Sequence, residues 1–196
     1  IVIALRPIRD LSEARAEIAG EQLLRVTTGV ARDVRNPLDM NELRLISKGA
    51  ERACYVHPDD FSKVIKIPFE TRRYRNELDI KYHRHLEKQN VDHSHIVSCY
   101  GWIEHKNGKG LIFDHVRDFD GESSKELEYL LKSNLIDIDD AREKLVSLNE
   151  YLKKNNIVFS DGGMRNILCQ RDKKGNYNYI IVDGLGARRP GIKTWL

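Results

Sequence analysis

The sequence predicts an α+β fold, with a first half rich in β-strands and a second half that is mostly helical. Short runs that alternate polar and β-branched residues, such as KVIKI at 63–67, indicate strands in the first half. Two later segments instead repeat leucine at helical spacing. Hydrophobic residues make up 40% of the 196-residue chain, which is enough to build a core at this length.

Seven strands are expected, and turn signals separate them. Lys48-Gly49 turns between the first two, and Pro68 ends the third because proline removes a ladder donor. The glycine-containing segment 107–110 links the fourth strand to the fifth, and 172–176 turns between the last two, which form a hairpin. The predicted strands are 43–46, 53–56, 63–67, 96–102, 111–115, 167–170 and 179–183.

Three helices lie between these strands. In the first, Leu78, Tyr82 and Leu86 share one face, as in an amphipathic helix. The third is expected to begin at a capping aspartate, either Asp139 or Asp140. The predicted helices are 71–89, 123–132 and 139–155.

The first 42 residues are predicted to be an N-terminal extension of a domain that covers 43–196. They contain no lysine and no histidine, unlike the rest of the chain. One expectation for this segment is a helix over 11–34, capped by Ser12, that packs on the domain or binds a partner. A loosely attached or disordered extension is favoured over that alternative.

Composition and charge narrow the class of protein. No apolar run approaches the roughly 20 residues that cross a bilayer, so no membrane association is expected. Cys54, Cys99 and Cys169 are widely separated and odd in number, which predicts free thiols in the cytoplasm rather than a disulfide framework or a zinc site. The net charge is only +3, with both signs mixed along the chain, so a nucleic-acid partner is disfavoured.

Three oxygen-bearing side chains in the second half indicate chemistry on a phosphate group. Asp161 follows an apolar run and precedes Asn166 by five positions, so one loop can carry both. Asp183 ends a β-branched strand next to Gly184, where the backbone can turn sharply. Asn166 and Asp183 are predicted to hold Mg²⁺, which usually takes one or two protein ligands together with phosphates. Asp161 is predicted to be the catalytic base beside a substrate hydroxyl.

Other candidate residues belong to the strand-rich half. Lys66 on the third strand can neutralise phosphate charge, and Glu77 on the following helix can hold that lysine in place. Together with the D-x-x-x-x-N motif and the strand-ending aspartate, they resemble the layout of a kinase, which implies ATP as the nucleotide. The same resemblance implies that Gly49 shapes a loop over the phosphates and that Phe113 and His115 lie where adenine binds.

Longer motifs resemble one family of the protein-kinase-like superfamily. They are KGAERACYVHPDDFSKVIKI, RNELDIKYHRHLEK, FDHVRDFDG, NILCQRD and IIVDGLG, all within 43–187. They are similar to the PhoP regulatory network protein YrbL family. The resemblance implies a bilobal fold, with a small antiparallel-sheet N-lobe and a truncated helical C-lobe. It also implies an ATP- and Mg²⁺-dependent phosphotransferase whose acceptor, a small molecule or a protein, stays open.

Departures from the protein-kinase pattern favour an alternative, a non-catalytic kinase-like regulatory module. Phe159-Ser160 stands where a protein kinase has a histidine and an arginine, and Gly163 replaces a lysine. The phosphate loop keeps a single glycine. Only thirteen residues follow Asp183, so no activation segment for a peptide substrate is expected, and protein phosphorylation is disfavoured.

Simpler structural roles also stay open for the candidate residues. Lys66 could face solvent, Glu77 could pair with Lys81 four positions later, and the two aspartates could be turn residues. The loop glycine could serve only to shape a hairpin. A histidine metal site is disfavoured, because the histidines lack the usual ligand spacing.

Overall fold

The computed structural model describes residues 43–70, 74–106 and 108–186. The predicted N-terminal extension, with its expected helix, lies outside these residues. No helix within them is long and apolar enough to cross a membrane. In chain order, the described elements are β1 (Leu45–Lys48), β2 (Arg52–Val56), β3 (Lys63–Pro68), α1 (Tyr74–Lys88), β4 (Cys99–His105), β5 (Gly108–Asp114), β6 (Lys125–Glu126), α2 (Leu127–Lys132), α3 (Ile138–Lys154), β7 (Ile167–Arg171) and β8 (Tyr177–Ile181).

Five strands form an antiparallel sheet in the order β1-β2-β3-β5-β4. Strand β3 is central, because it pairs with β2 on one side and β5 on the other. Val64 packs into one hydrophobic cluster of this lobe, whereas Ile65 and Ile67 pack into another. Both faces of β3 are therefore covered, which explains why its sequence carries apolar residues at both alternating positions.

Helix α1 packs against this sheet and also reaches the second lobe. Ile80 lies in the sheet cluster with Phe113, whereas Tyr82 and Leu86 belong to the core of the second lobe. The Val158 amide donates a hydrogen bond to the Tyr82 hydroxyl at 2.7 Å. The helix thus links the two lobes through both apolar packing and a hydrogen bond.

The second lobe combines two helices with a three-stranded antiparallel sheet in the order β6-β7-β8. Its core contains Leu127 and Leu130 from α2, Leu148 from α3, and Ile167 and Ile181 from the hairpin. These residues come from the segments in which the sequence predicted two helices and a hairpin. The predicted α+β class and the order of the main elements are therefore confirmed.

The N-terminus of α3 differs from the prediction. Neither Asp139 nor Asp140 is the capping residue. The Asp137 carboxylate accepts hydrogen bonds from the backbone amides of both residues, at 2.8 and 3.2 Å. The helix starts one residue earlier than predicted, because Asp137 has the extended backbone and the acceptor oxygen that an N-cap requires.

Two other predicted elements begin later than expected. The helix predicted over 123–132 starts only at Leu127, because the two preceding residues pair with β7 as strand β6. The strand predicted from residue 96 starts at Cys99, because Ile96 instead forms an isolated parallel bridge to Ile181 in the other sheet. In both places a partner from the distant hairpin determines the local structure.

Candidate functional site

Asp161 and Asn166 lie on one loop, which its own hydrogen bonds close. The Asp161 carbonyl accepts from the Gly163 amide at 2.7 Å and from the Asn166 side-chain amide at 2.9 Å. A short 3₁₀ turn, Met164–Asn166, then leads directly into β7. Because the Asn166 amide nitrogen binds within the loop, the amide oxygen is the atom that a cation would use.

The turn at Asp183-Gly184 packs against this loop. The Gly184 carbonyl accepts from the backbone amides of Ser160 and Asp161, at 2.9 and 3.1 Å. The Val182 amide donates to the Asn166 carbonyl at 2.9 Å. The structure therefore brings together the three side chains that the sequence singled out at 161, 166 and 183, and backbone bonds fix their separation.

Gly184 is a point where the site tolerates no side chain. Its φ of +83° lies in the left-handed region, and an added Cβ would lie 2.7 Å from the Asp161 Cβ and 2.9 Å from the Asp161 carbonyl oxygen. We expect Gly184→Ala to lower the free energy of unfolding by roughly 2–3 kcal/mol, of which the left-handed backbone accounts for about 1–2 kcal/mol. Urea denaturation at neutral pH measures this loss.

Gly175 provides the matched control for that substitution. Its φ is +86°, nearly the same as that of Gly184, but an added Cβ would meet no atom within 4 Å. Gly175→Ala should therefore show the backbone cost alone, about 1–2 kcal/mol. Equal losses for the two variants would mean that the close approach at Asp161 carries no energetic cost.

Lys66 is buried, with 8% of its surface exposed, so the alternative in which it faces solvent is wrong. Its Nζ donates a hydrogen bond to the Val182 carbonyl and lies 4.4 Å from the centre of the Phe113 ring. The Lys66 ammonium therefore contacts the carbonyl of the residue that precedes Asp183, on the N-lobe side of the site.

Glu77 is exposed, and the structure does not bring it to Lys66. Asn76 and Asp79 of the same helix face the site instead. The fully buried Asn76 donates from its side-chain amide to the Lys66 carbonyl at 3.0 Å. Successive residues on a helix are rotated by about 100°, so a face that carries Asn76, Asp79 and Ile80 turns Glu77 away.

Arg52 is a central residue of the site that the sequence reasoning missed. Its guanidinium, in a side chain only 7% exposed, donates to Asn76 Oδ1 at 3.1 Å and to Asp79 Oδ2 at 2.5 Å. It also donates to Asp183 Oδ1 at 2.5 Å. One arginine at the start of β2 therefore connects α1 with the predicted metal carboxylate.

The charges of this cluster act on one another. Burial alone would raise the pKa of the Asp183 carboxyl, but the charges of Lys66 and Arg52 hold it well below its usual range. Burial alone would lower the pKa of the Arg52 guanidinium, but Asp79 and Asp183 raise it above its ordinary value. Two formal positive charges thus face two carboxylates, and the cluster is electrically balanced.

Gly49 lies in the turn between β1 and β2. Its amide donates to the Arg52 carbonyl at 3.0 Å, which closes a tight turn. All four residues of β1, and Gly49 itself, are exposed. This hairpin is thus an exposed flap, and Arg52 connects it to the charged cluster.

In the segment predicted to bind adenine, the Phe113 and His115 side chains already make contacts within the protein. Phe113 is 1% exposed and lies beneath Lys66. The His115 ring hydrogen-bonds through both nitrogens, from Nδ1 to the Phe61 carbonyl at 2.9 Å and from Nε2 to the Ser123 hydroxyl at 2.8 Å. Recognition of an adenine at this position would therefore not use the polar atoms of these two side chains.

Two side chains form a small donor set for Mg²⁺, to which water and phosphate oxygens would add. No group of three or more histidine, cysteine, aspartate or glutamate side chains in the described part of the chain could hold a metal ion. Asp183 and Asn166 offer a carboxylate and an amide oxygen, and the Asp183 side chain keeps 31% of its surface exposed. Mg²⁺ commonly binds through one or two such ligands together with substrate phosphates.

These elements define a member of the protein-kinase-like fold class. The structure is similar to that of Rad53 residues 1–466 in complex with AMP-PNP, with a TM-score of 0.54 and 19% sequence identity. The similarity covers 91% of this chain and 46% of the Rad53 chain, so this chain spans less than half of that protein's length. The predicted bilobal fold, with an antiparallel-sheet N-lobe and a helical C-lobe, is confirmed.

The chain belongs to the PhoP regulatory network protein YrbL family, whose model matches residues 38–194. The YrbL proteins of Escherichia coli (strain K12) and Shigella flexneri are each 32% identical to it over 164 residues. Each match covers 80% of this chain and 77% of the relative. The family resemblance predicted from the motifs is therefore confirmed.

Proposed function

We propose that the chain is an ATP- and Mg²⁺-dependent phosphotransferase. The observation that carries the proposal is the convergence of Lys66, Asp161, Asn166 and Asp183, which come from three separate segments, on one partly exposed site between the lobes. Phosphoryl transfer needs little covalent chemistry from the protein. It depends on positioning and on charge stabilisation, which such a set of groups can supply.

Each residue has a distinct role in this proposal. Asp161 orients the acceptor hydroxyl and takes its proton, while Lys66 binds the α- and β-phosphates. Asn166 and Asp183 would hold Mg²⁺, which neutralises phosphate charge when bound. Asn76 takes over the positioning role first expected of Glu77, because it bonds to the backbone of Lys66. The acceptor is a small molecule or a protein.

The nucleotide and the compartment are also proposals. Rad53 was solved with AMP-PNP, a nucleotide, and this supports ATP as the ligand of the same fold. Adenine would bind along the backbone of residues 113–116. We propose a cytoplasmic location, because Cys54, Cys99 and Cys169 are all free thiols and thiols persist in a reducing compartment.

Thermal unfolding with ATP and Mg²⁺ tests the proposal first. A ligand that binds only the folded state stabilises it by about 2.7 kcal/mol at one hundred times its dissociation constant. We expect a Mg²⁺-dependent rise of the thermal midpoint that Lys66→Met abolishes. Methionine keeps most of the buried stem and removes the charge that would bind phosphate, together with the hydrogen bond to the Val182 carbonyl.

Lys63→Met is the matched control, since Lys63 lies on the same strand. Its ammonium pairs with Asp60 at 2.9 Å, and about a third of its side chain is exposed. This variant should keep the full nucleotide-dependent rise. If the thermal midpoint of the unmodified protein does not rise at millimolar ATP, the protein does not bind the phosphate donor and the proposal fails.

A regulatory module without catalysis is the second candidate function, and one observation favours it. Arg52 already binds the Asp183 carboxylate, so the predicted metal ligand has a protein cation as its partner. In that case the site would bind nucleotide weakly or not at all. The same thermal measurement separates the two functions, because this alternative predicts no Mg²⁺-dependent rise.

A further inference from the structure

The carboxylate oxygen Oδ1 of Asp183 already has two hydrogen-bond donors. The Arg52 guanidinium donates to it at 2.5 Å, and the Gly184 amide donates to it at 2.7 Å. A carboxylate oxygen has two lone pairs, so Oδ1 is saturated. A cation that approaches Oδ1 meets a fully used oxygen, and one that approaches the other carboxylate oxygen, Oδ2, still meets the Arg52 guanidinium of like charge beside it.

Arg52 keeps other partners that do not depend on Asp183. Its second terminal nitrogen, Nη1, binds Asn76 and Asp79, both on α1. The Arg52 side chain is 7% exposed, whereas 31% of the Asp183 side chain is exposed. The guanidinium can therefore lose Asp183 while α1 still holds it, and the carboxylate can be reached from outside the cluster.

We propose that Arg52 is a positioning residue that competes with the divalent cation for Asp183. Metal binds tightly after the guanidinium leaves Oδ1 of this carboxylate, and Asp79 and Asn76 then keep the freed arginine beside the site. The positive partner of Asp183 is thus the Arg52 guanidinium in the free protein and the divalent metal ion in the metal-bound protein. This inference rests on the proposed function for its metal, but its test needs no nucleotide.

Mn²⁺ serves as the probe, because electron paramagnetic resonance measures its free concentration directly. The test variant combines Arg52→Gln with Asp79→Asn, which removes one charge of each sign and leaves two amides that can bond to each other. We expect its Mn²⁺ dissociation constant to fall about tenfold or more below that of the unmodified chain, because a like charge beside the ligand is gone. Adding Asp183→Asn should abolish this gain.

Arg142→Gln with Asp139→Asn is the matched control, since it removes an exposed ion pair of the same 2.5 Å length from α3. Its Mn²⁺ affinity should equal that of the unmodified chain.

If the test variant does not fold, Arg52→Met with Asp79→Leu replaces it, because apolar substitutes for a buried ion pair are often tolerated. An unchanged affinity, no Mn²⁺ binding at millimolar concentration, or a gain that survives Asp183→Asn would each overturn the competition. Failure of the proposed function would instead appear as a missing nucleotide shift.

Discussion

Replacement of Arg52 by methionine is expected to lower the free energy of unfolding by about 3–5 kcal/mol, because it breaks a buried ion pair from one side. Asp79 and Asp183 would then be left without the guanidinium, and the Asp79 side chain is only 12% exposed. Methionine fills the space of the arginine stem, so the loss reports mainly on the missing charge and hydrogen bonds. Urea unfolding at pH 7 measures this loss of free energy, with the same dependence of the unfolding free energy on urea concentration expected for both proteins.

Arg142→Met is the control for this prediction. Arg142 donates to Asp139 at the same 2.5 Å distance, but about 70% of its side chain is exposed. Exposed pairs contribute about 0–1 kcal/mol, so the control should lose little. Adding Asp79→Asn to the Arg52 variant should recover part of its loss, because one uncompensated charge is removed. A loss no larger than that of the control would show that Arg52 does not hold the two carboxylates.

The order of the main elements along the chain and the loop that carries Asp161 and Asn166 could be predicted from the sequence, because local patterns determine them. The β-branched residues of β3 define a strand without reference to any partner. The five-residue spacing from Asp161 to Asn166 fits a single loop by chain length alone. Asp183 is likewise marked locally, since it closely follows an apolar strand and precedes the glycine that the turn requires.

The remainder of the site depends on contacts that are distant in the sequence. Arg52 meets Asn76, Asp79 and Asp183 across separations of 24, 27 and 131 residues. The one local signal is its place at the start of an apolar strand, and that place does not reveal which residues the guanidinium meets. Glu77 was predicted in place of Asn76, which bonds to Lys66, and the reason is different. A helix can be predicted from its pattern, but an error of one position rotates the predicted face by about 100°.

Acidification from pH 6.5 to 4 is expected to remove about 3 kcal/mol of stability through one buried histidine. His83 of α1 is 4% exposed and packs edge-on against Phe113, with ring centres 5.3 Å apart. Burial, offset only partly by the nearby charge of Asp79, lowers its pKa from 6.5 to about 4. Each unit of pKa difference between the folded and unfolded states corresponds to about 1.4 kcal/mol.

The sign follows from proton binding. Between pH 6.5 and 4 the unfolded chain protonates His83 while the folded chain keeps it neutral, so each step toward acid favours the unfolded state. This stability is fully present above pH 6.5 and is lost as the pH falls to about 4. His83→Leu should therefore flatten the dependence of the unfolding free energy on pH in this window. A smaller slope of the same sign should persist, since burial also lowers the pKa of His115. If His83→Leu keeps the full acid-induced loss, protonation of the buried His83 ring is not its cause, because no other group changes between the two proteins.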